Sequence, residues 1–261
     1  MAGPVFAVGD VHGHRDVLVD LLRDAGLVDA AESWTGADAR LWLVGDLVDR
    51  GPDGIGAVEL VRRLERESQG AVRCLLGNHE TMILAVHRFG DEETSFAGQS
   101  FRDIWTLNGG VEADLAALTP EHVAWLTALP PIAREGDWLV VHADTTAYLE
   151  LGSSIDAVAR ATATVLTDGD GASVDELLGI LSDRMRLGDP EAVNALLDAY
   201  GGSRIVHGHT PVASVLHIEA ADVTAPLRYG DDGRVLNIDH CLFAGGPGFV
   251  VELESGPGPE A

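Results

Sequence analysis

The sequence predicts an α/β fold with a largely parallel sheet. In the N-terminal half, a short apolar run is followed three times by a polar, glycine-containing loop and then by an amphipathic stretch. This order of strand, loop and helix is typical of βαβ units, whose strands lie parallel. Hydrophobic residues make up 46% of the 261 residues, which is sufficient for a buried core. A polar residue of a metal-ligating type also follows each apolar run.

The N-terminal elements alternate between strand and helix. Val5–Val8 is predicted as the first strand, and residues 16–24 follow with apolar side chains on one helical face. Residues 41–44 are predicted as the second strand, and residues 55–64 as a helix with a charged face. The third strand is predicted at residues 72–76. These units would bring three strand ends to one edge of the sheet.

The middle and C-terminal parts have weaker patterns. Residues 91–110 are predicted as a loop with a helical turn at 101–107, and a helix is expected from Thr119 to about Leu126. Residues 144–202 contain several helical patterns broken by Gly and Asp, which we interpret as a helical insertion or lid. Further strands are predicted at residues 138–141, 204–206, 213–217, 235–238 and 249–253.

Domain organisation and charge limit the possible functions. Residues 1–254 are predicted to form one domain, and the Gly- and Pro-rich tail 255–261 is expected to be disordered. Lys and Arg number 17 against 42 Asp and Glu, which gives a net charge of −25. This balance argues against a general nucleic-acid binder and against docking on anionic lipid, because both partners are bound through cationic side chains.

The compartment is predicted from the termini and the cysteines. No stretch approaches the ~20 apolar residues that span a bilayer, and the N-terminus lacks the basic region of a signal peptide. Cys74 lies in an apolar run, so a buried free thiol is favoured over a disulfide with Cys241. We therefore expect a cytoplasmic protein that does not bind membranes.

Metal-ligating residue types follow five of the predicted strands: Asp10 with His12, Asp46, Asn78 with His79, His142, and His207 with His209. The carboxyl ends of strands are where open α/β sheets bind ligands. One such strand end would be an ordinary turn or helix cap. Five of them indicate a site for borderline divalent metals, which accept carboxylate, imidazole and amide ligands together.

Three contiguous motifs carry a family resemblance. GDVHG at residues 9–13, GDLVDRG at 45–51 and GNHE at 77–80 resemble the signature blocks of the calcineurin-like metallophosphoesterases. The branch they resemble is that of the phosphoprotein phosphatases, which includes bacterial Ser/Thr phosphatases and diadenosine tetraphosphate hydrolases. VVHA at 140–143 and GHTP at 208–211 resemble the two later histidine blocks. The resemblance implies a four-layer α/β/β/α sandwich of two mixed sheets with flanking helices, and a dinuclear metal site at the strand ends.

The resemblance also implies a role for each matching residue. One metal ion would be held by Asp10 and His12 and the other by Asn78, His142 and His209, with Asp46 bridging them. The expected ions are two Mn²⁺, with Fe, Zn, Co and Ni as alternatives, and the attacking group is a hydroxide that the ions share.

The other implied roles concern the phosphate and the leaving group. His79 would protonate the leaving oxygen and Asp49 would hold its ring, while Arg50 would bind the phosphate as a bidentate fork. A second arginine is expected from residues 182–186, and Arg184 is the candidate.

Two departures from the family pattern bear on the substrate. Many relatives carry an arginine just before the GNHE block, where this chain has Leu75 and Leu76, and often a glycine where this chain has Asp144. These departures leave the metal ligands intact but argue against a phosphoprotein substrate. Broad activity on small phosphomonoesters is therefore favoured, with a phosphoprotein as the family's usual substrate and a dinucleoside polyphosphate as the alternative. A non-catalytic metal-binding regulatory protein and a nucleic-acid end-processing phosphatase are the competing functions, and the net charge disfavours the second. The oligomeric state is left open.

Overall fold

Two mixed β-sheets face each other, and helices cover their outer sides. The computed structural model describes residues 3–96, 98–230 and 233–254. The first sheet has the strand order β3-β2-β1-β9 and the second β4-β5-β6-β8-β7. The strands are β1 (Val5–Val8), β2 (Arg40–Leu43), β3 (Val72–Cys74), β4 (Ile132–Glu135), β5 (Trp138–Val141), β6 (Arg204–His207), β7 (Leu227–Tyr229), β8 (Val235–Asn237) and β9 (Val250–Glu252). This is the arrangement of sheets and helices that the motifs implied.

Each sheet has a parallel centre with antiparallel strands at its edges. Strands β1, β2 and β3 run parallel, and β9 pairs antiparallel with β1. In the second sheet β5, β6 and β8 run parallel, between antiparallel β4 and β7. Because the carboxyl ends of parallel strands meet at one edge, the polar residues that follow these strands are brought together.

The layer between the sheets is built from alternate residues of the strands. Val5 and Ala7 of β1, Trp42 of β2, Val140 of β5 and Val206 of β6 are buried in one cluster. Their sequence neighbours point to the opposite faces, since side chains alternate along a strand, and pack against the helices. Both faces of each sheet are therefore covered.

The helices are α1 (Arg15–Asp24), α2 (Gly54–Glu67), α3 (Asn78–Phe89), α4 (Phe101–Leu107), α5 (Glu112–Ala117), α6 (Pro120–Ala128), α7 (Tyr148–Leu151), α8 (Ile155–Asp168), α9 (Gly171–Ser182), α10 (Pro190–Tyr200) and α11 (Val212–Leu216). The segment 144–202 is helical, as its patterns predicted, and α9 packs against α3. Its break lies between α8 and α9, where Asp170 caps α9 by accepting from Ser173 N at 2.9 Å. Within the described ranges, no helix is both long and apolar enough to cross a membrane.

Three elements differ from the sequence predictions. Residues 213–217 were predicted as a strand, and the prediction was wrong because the chain turns back after Pro211 and forms α11. His217 then ends this helix in the left-handed region, at φ 54°. Strands β4 and β7 were not predicted, since they are short antiparallel edge strands with little hydrophobic alternation. The tail at 255–261, for which disorder was predicted, lies outside the described residues.

Candidate metal centre

The six residues predicted as metal ligands lie together at the strand ends of both sheets. None is more than 5% exposed. Four of them, together with His79, contribute ring and carboxylate atoms to two groups in which the donor atoms lie within 4.8 Å of one another. One group is His12, Asp46 and His79, and the other is Asp46, His142 and His209. Two adjacent donor sets that share one carboxylate suit a pair of divalent cations.

Asp46 lies between the two donor sets. Its Oδ2 is 3.7 Å from His12 Nε2, and its Oδ1 is 3.5 Å from His142 Nε2. His12 Nε2 is also 4.0 Å from Asp10 Oδ2. Each carboxylate oxygen of Asp46 thus faces a different imidazole, which is the arrangement needed to bridge two ions.

Backbone carbonyls fix the tautomers of two histidines. His12 Nδ1 donates to Val48 O at 3.1 Å, and His142 Nδ1 donates to Val44 O at 2.8 Å. The proton is therefore on Nδ1, and the lone pair of Nε2 faces Asp46 in both cases. Burial lowers the pKa of His12, and it lowers the pKa of His142 to about 3. Both rings are neutral, as metal ligands must be.

Among the described residues, no arginine forms an ion pair with the buried carboxylates of Asp10 and Asp46. Burial raises the pKa of Asp10, and the carboxylates of Asp239 and Asp46 add to this effect. Burial also raises the pKa of Asp46, with Glu80 as the next cause. Buried carboxylates of like charge are costly unless a cation compensates them. The donor set therefore fits metal ions both in ligand type and in charge.

Several residues of the site have a strained backbone. His12, Asp46, Asp49, Arg50 and His209 all have φ between 46° and 67°, in the left-handed region. Residues with a Cβ rarely adopt this conformation, and it costs about 1–2 kcal/mol per residue. Such strain is retained at functional sites when the surroundings enforce it. Here the sharp exits from the strands aim these side chains at one point.

Glu80 is the group that enforces this geometry. Its buried carboxylate accepts from the backbone N–H of Asp46 at 2.7 Å, of Leu47 at 2.7 Å and of Gly77 at 2.9 Å. It therefore fixes the Asp46 loop to the start of α3. Glu80 lies in the GNHE motif, but the sequence analysis assigned it no role. Its spacing of three residues from Gly77 is that of a capping box, and this was the available signal.

His79 forms a buried pair with Asp49. His79 Nδ1 and Asp49 Oδ2 are 2.8 Å apart, and both side chains are fully buried. Burial raises the pKa of Asp49 to about 7 and lowers the pKa of His79. His79 Nε2 has no hydrogen-bond partner among the described residues, and its ring contacts the His12 ring, with centroids 4.6 Å apart. The free nitrogen thus lies beside the candidate metal site.

Two residues that the sequence did not single out hold Asp49. Trp105 Nε1 donates to Asp49 Oδ1 at 2.9 Å, and Asp49 N donates to Asp114 Oδ2 at 3.3 Å. Trp105 and Asp114 are both buried. They lie 56 and 65 residues beyond Asp49, so no local spacing could have indicated them.

A family model matches most of this chain, including the residues of the candidate metal centre. Residues 3–213 match the model for calcineurin-like phosphoesterases. This chain belongs to that family. All six predicted ligands and the His79–Asp49 pair lie within the matched residues.

Relatives of this phosphoesterase include a protein phosphatase and a dinucleoside tetraphosphatase. It is 28% identical over 231 residues to serine/threonine-protein phosphatase 1 of Salmonella typhimurium, covering 88% of this chain and 87% of that protein. It is 33% identical over 140 residues to the symmetrical bis(5′-nucleosyl)-tetraphosphatase of Aromatoleum aromaticum, covering 53% of this chain. That match spans only 43% of the tetraphosphatase.

Solved structures agree with the fold. The crystal structure of a cold-active protein-tyrosine phosphatase of a psychrophilic Shewanella species has a TM-score of 0.69 at 21% identity, covering 97% of this chain and 76% of that one. A protein serine/threonine phosphatase from Saccharomyces cerevisiae has a TM-score of 0.59 at 15% identity, covering 99% of this chain and 82% of that one. At these identities the two structures show a shared fold of two mixed sheets with flanking helices.

A cleft of about 580 Å³ opens above the metal site of the phosphoesterase. Arg50, Arg184 and Phe243 line this cleft. The Arg50 guanidinium lies 4.2 Å from the centre of the Phe243 ring, and Arg50 Nε donates to Asn108 O at 3.2 Å. Arg184 Nη2 is 3.0 Å from His209 Nε2. The structure thus brings Arg50 and Arg184 to one cleft, and sequence reasoning missed Phe243.

Asp144, the departure from the family pattern, connects two parts of the site. Its Oδ1 accepts from Thr210 Oγ1 at 2.6 Å, and its Oδ2 accepts from Met185 N at 2.9 Å. Arg186 N also donates to Asp144 O at 3.0 Å. Asp144 therefore ties the segment that carries Arg184 to the loop that carries His209.

The other singled-out residues have supporting positions. His207 is buried outside the two donor groups, and its Nε2 lies 2.8 Å from the Tyr229 hydroxyl, in agreement with its interpretation as a non-ligand. His240 Nε2 donates to Asp10 O at 3.3 Å, and its Nδ1 accepts from Phe249 N at 2.9 Å. Cys74 and Cys241 are both buried and free, as predicted for Cys74. His240 thus supports the backbone of a predicted ligand.

Proposed function

We propose that this chain is a dinuclear metal-dependent phosphomonoesterase. The observation that carries the proposal is Asp46, whose two oxygens face imidazoles of separate donor sets. The residues that would hold the ions are Asp10, His12 and Asp46 on one side and Asp46, Asn78, His142 and His209 on the other. Mn²⁺ suits this mixture of oxygen and nitrogen donors, with Fe, Zn, Co and Ni as alternatives. When bound, such ions acidify a water molecule and withdraw charge from a phosphoryl oxygen.

Arg50 and Arg184 would bind the phosphoryl oxygens from the rim of the cleft. His209 Nε2 is 3.1 Å from Ser182 O and 3.0 Å from Arg184 Nη2, and one nitrogen cannot donate to the first while it accepts from the second. With the proton on Nε2, His209 donates to Ser182 O and presents Nδ1 as a ligand atom. Arg184 is then free to form a charge-assisted hydrogen bond with phosphate.

His79 would supply the proton that the leaving oxygen takes up. Its Nδ1 lies 2.8 Å from Asp49 Oδ2, so the opposite nitrogen, Nε2, points into the site. Burial raises the pKa of Asp49 to about 7, so Asp49 can carry a proton and donate it to Nδ1, which leaves the single proton of the neutral His79 ring on Nε2. The oxygen of a water molecule bonds to phosphorus as the P–O bond to the leaving oxygen breaks, and the leaving oxygen takes the proton from Nε2. Asp49 stabilises the ring in this orientation, and the Trp105 and Asp114 contacts keep Asp49 in place.

The segment 144–202 would form part of the site, because it contributes Arg184. We propose that residues 1–254 form one domain and that this segment acts as the side of the cleft nearest His209. A cytoplasmic location agrees with two buried free cysteines, since thiols persist in reducing compartments.

The substrate class is best described as a phosphomonoester. Arg50 and Arg184 are the arginines that line the cleft among the described residues, and Leu75 and Leu76, where relatives often carry another, are fully buried. The two arginine side chains provide enough positive charge for a single phosphoryl group. The tetraphosphatase alternative is supported by matches to relatives of that name, which cover between 27% and 55% of the length of those proteins.

The test is hydrolysis by Mn²⁺-loaded protein of p-nitrophenyl phosphate, a phosphoserine peptide and diadenosine tetraphosphate, each beside the Asp46→Asn variant. We expect hydrolysis of the first two, with loss of at least about 10³-fold in the variant. Preference for diadenosine tetraphosphate would select the alternative. Metal-independent hydrolysis, or bound metal without any hydrolysis, would contradict the proposed function.

A further inference from the structure

A second cavity opens from the side of the catalytic cleft. It has a volume of about 360 Å³ and shares Asn78, Leu107 and Arg184 with the metal site or its cleft. Its remaining wall includes Met82, Ile104 and Leu178. We call this cavity the side pocket. Because Arg184 lines both cavities and Asn78 of the metal site lines the side pocket, a group attached to a phosphate in the cleft can reach the side pocket directly.

Exposed apolar side chains are concentrated around these two cavities. Leu107 is 71% exposed and Phe96 is 67% exposed, and both line the side pocket. Phe243, which lines the cleft, is 36% exposed, and Met185, next to Arg184, is 67% exposed. Single exposed apolar residues are ordinary, but a group of them around a cavity indicates a surface that contacts a ligand.

The charges of the side pocket exclude a second phosphate. Beyond Arg184, no arginine or lysine of the described chain lines it. Asp175 lies in its wall and is held there, because Asp175 Oδ2 accepts from Ser95 N at 2.8 Å. An anionic substituent would meet this carboxylate without a compensating cation. The pocket is therefore suited to an uncharged apolar group.

We propose that the side pocket receives the aromatic ring of an aryl phosphate monoester, a class that includes phosphotyrosine. The proposal rests on the proposed function, since the ring is positioned by phosphate bound in the cleft. A ring joined to the ester oxygen reaches past Asn78 and contacts Met82, Ile104 and Leu178. The methylene of a phosphoserine ends at the entrance. A polyphosphate chain would bring its second charge toward Asp175.

The first test compares two exposed apolar side chains. Phe96 lines the side pocket but not the cleft, whereas Leu149 is 39% exposed on α7 and lines neither cavity. For Phe96→Gln we expect kcat/KM for phenyl phosphate to fall roughly fivefold to tenfold, with phosphoserine changed less than about twofold. Leu149→Gln should change neither. An equal loss on both esters in Phe96→Gln, or no loss on phenyl phosphate, would overturn the proposal.

The second test measures binding without turnover. Calorimetric titration of the full chain with phenylphosphonate and methylphosphonate should show about tenfold tighter binding of the aromatic ligand, and Phe96→Gln should remove most of the difference. Equal affinities for the two phosphonates would overturn the side pocket while leaving the proposed function intact. Selective phenylphosphonate binding without hydrolysis of any ester would support the pocket and contradict the proposed function.

A third measurement identifies the source of the ring. A phosphotyrosine peptide and free phenyl phosphate are compared in the same assay, beside 4-carboxyphenyl phosphate as an anionic analogue. The proposal expects the carboxylate to lower kcat/KM, and Asp175→Asn to restore it at least about threefold. A carboxylated substrate that is hydrolysed as well as phenyl phosphate would overturn the assignment of Asp175. The ratio between peptide and free ester shows whether the ring arrives on a protein or on a small molecule.

Discussion

The cleft has a floor, formed by the predicted metal ligands with His79 and Glu80, and a rim, formed by Arg50 and Arg184. On the floor every predicted ligand is buried, and backbone hydrogen bonds hold several of them: His12 to Val48 O, His142 to Val44 O, and Asp46 through Glu80. On the rim, Arg50 is partly exposed and Arg184 is exposed. Arg50 contacts the Phe243 ring and donates to Asn108 O, and the Arg184 guanidinium lies beside the His209 ring. The floor is therefore preorganised by the sheets, whereas the rim is positioned by a few contacts between loops.

This difference separates two kinds of effect. A change on the floor removes metal ligands or the geometry that holds them, so the chemistry itself should fail. A change on the rim alters how phosphate is held while the metal site persists, so the effect should appear mainly in KM. The following variants test whether floor and rim separate in this way.

His142→Asn is expected to have the greatest effect. Asparagine can keep the hydrogen bond to Val44 O, because its amide nitrogen takes the place of Nδ1, but it lacks the atom at Nε2. We expect loss of about one metal ion per chain and a fall in turnover of at least about 10³-fold. Metal content by mass spectrometry and hydrolysis of p-nitrophenyl phosphate are the measurements.

The matched control is His122→Asn, which changes a buried histidine of α6 away from the strand ends. Its metal content should equal that of the wild type. If His142→Asn keeps both metal ions and normal turnover, His142 is not a ligand.

His79→Asn tests the proton donor on the floor. The asparagine amide can keep the contact with Asp49 while the atom at Nε2 is lost. We expect turnover to fall about 10²-fold on a phosphoserine peptide and less than about fivefold on p-nitrophenyl phosphate, whose leaving oxygen needs no proton. Metal content should be unchanged. Equal losses on the two substrates would remove the general-acid role.

Glu80→Gln tests whether the floor is held by its hydrogen bonds. The amide nitrogen of glutamine would face backbone N–H groups that now donate to the carboxylate. We expect the free energy of unfolding of metal-free protein to fall by about 2–3 kcal/mol. Urea denaturation measures it, with the exposed Glu176→Gln as the control. Equal stability of the two variants would show that Glu80 does not fix the loop.

The rim is tested by a double-mutant cycle between Arg184 and Asp144. Arg184→Ala should raise KM about tenfold with little change in kcat, because a charge-assisted contact with phosphate is lost. Asp144→Asn should raise KM about threefold, since Asp144 holds the segment that carries Arg184.

If Asp144 acts through Arg184, adding Asp144→Asn to Arg184→Ala should change KM no further. Arg186→Ala is the control, because Arg186 pairs with Asp183 at 3.2 Å and lies outside the cleft. Fully additive effects would show that Asp144 supports the site independently of Arg184.

The position of the candidate ligands could be predicted from the sequence because these residues follow strands, within short motifs. GDVHG and GNHE each place two candidate site residues within four positions, and an apolar run directly precedes each motif. The strand-to-ligand spacing is thus a local property that the sequence displays directly. The same applies to α4, whose bounds of Phe101–Leu107 agree with the predicted helical turn.

The rim and the supporting contacts depend on long-range packing. Trp105 reaches Asp49 across 56 residues, and Asp144 reaches Met185 across 41. Such contacts depend on how the helices and loops pack against the sheets, and local sequence patterns do not predict that packing. The strand predicted at 213–217 was wrong because helix α11, which begins after Pro211, outweighed the strand preference of Val215.

Strand β9 has a consequence for how the protein is made. It pairs with β1, and Phe249 N holds His240 against the carbonyl of Asp10. Because synthesis runs from the N-terminus to the C-terminus, Asp10 and β1 are made well before β9. Until β9 emerges, one edge of β1 is unpaired and the strand is open to pairing with another nascent chain. Asp10, the first candidate ligand to be synthesised, therefore gains its His240 contact only after the C-terminal strand has formed.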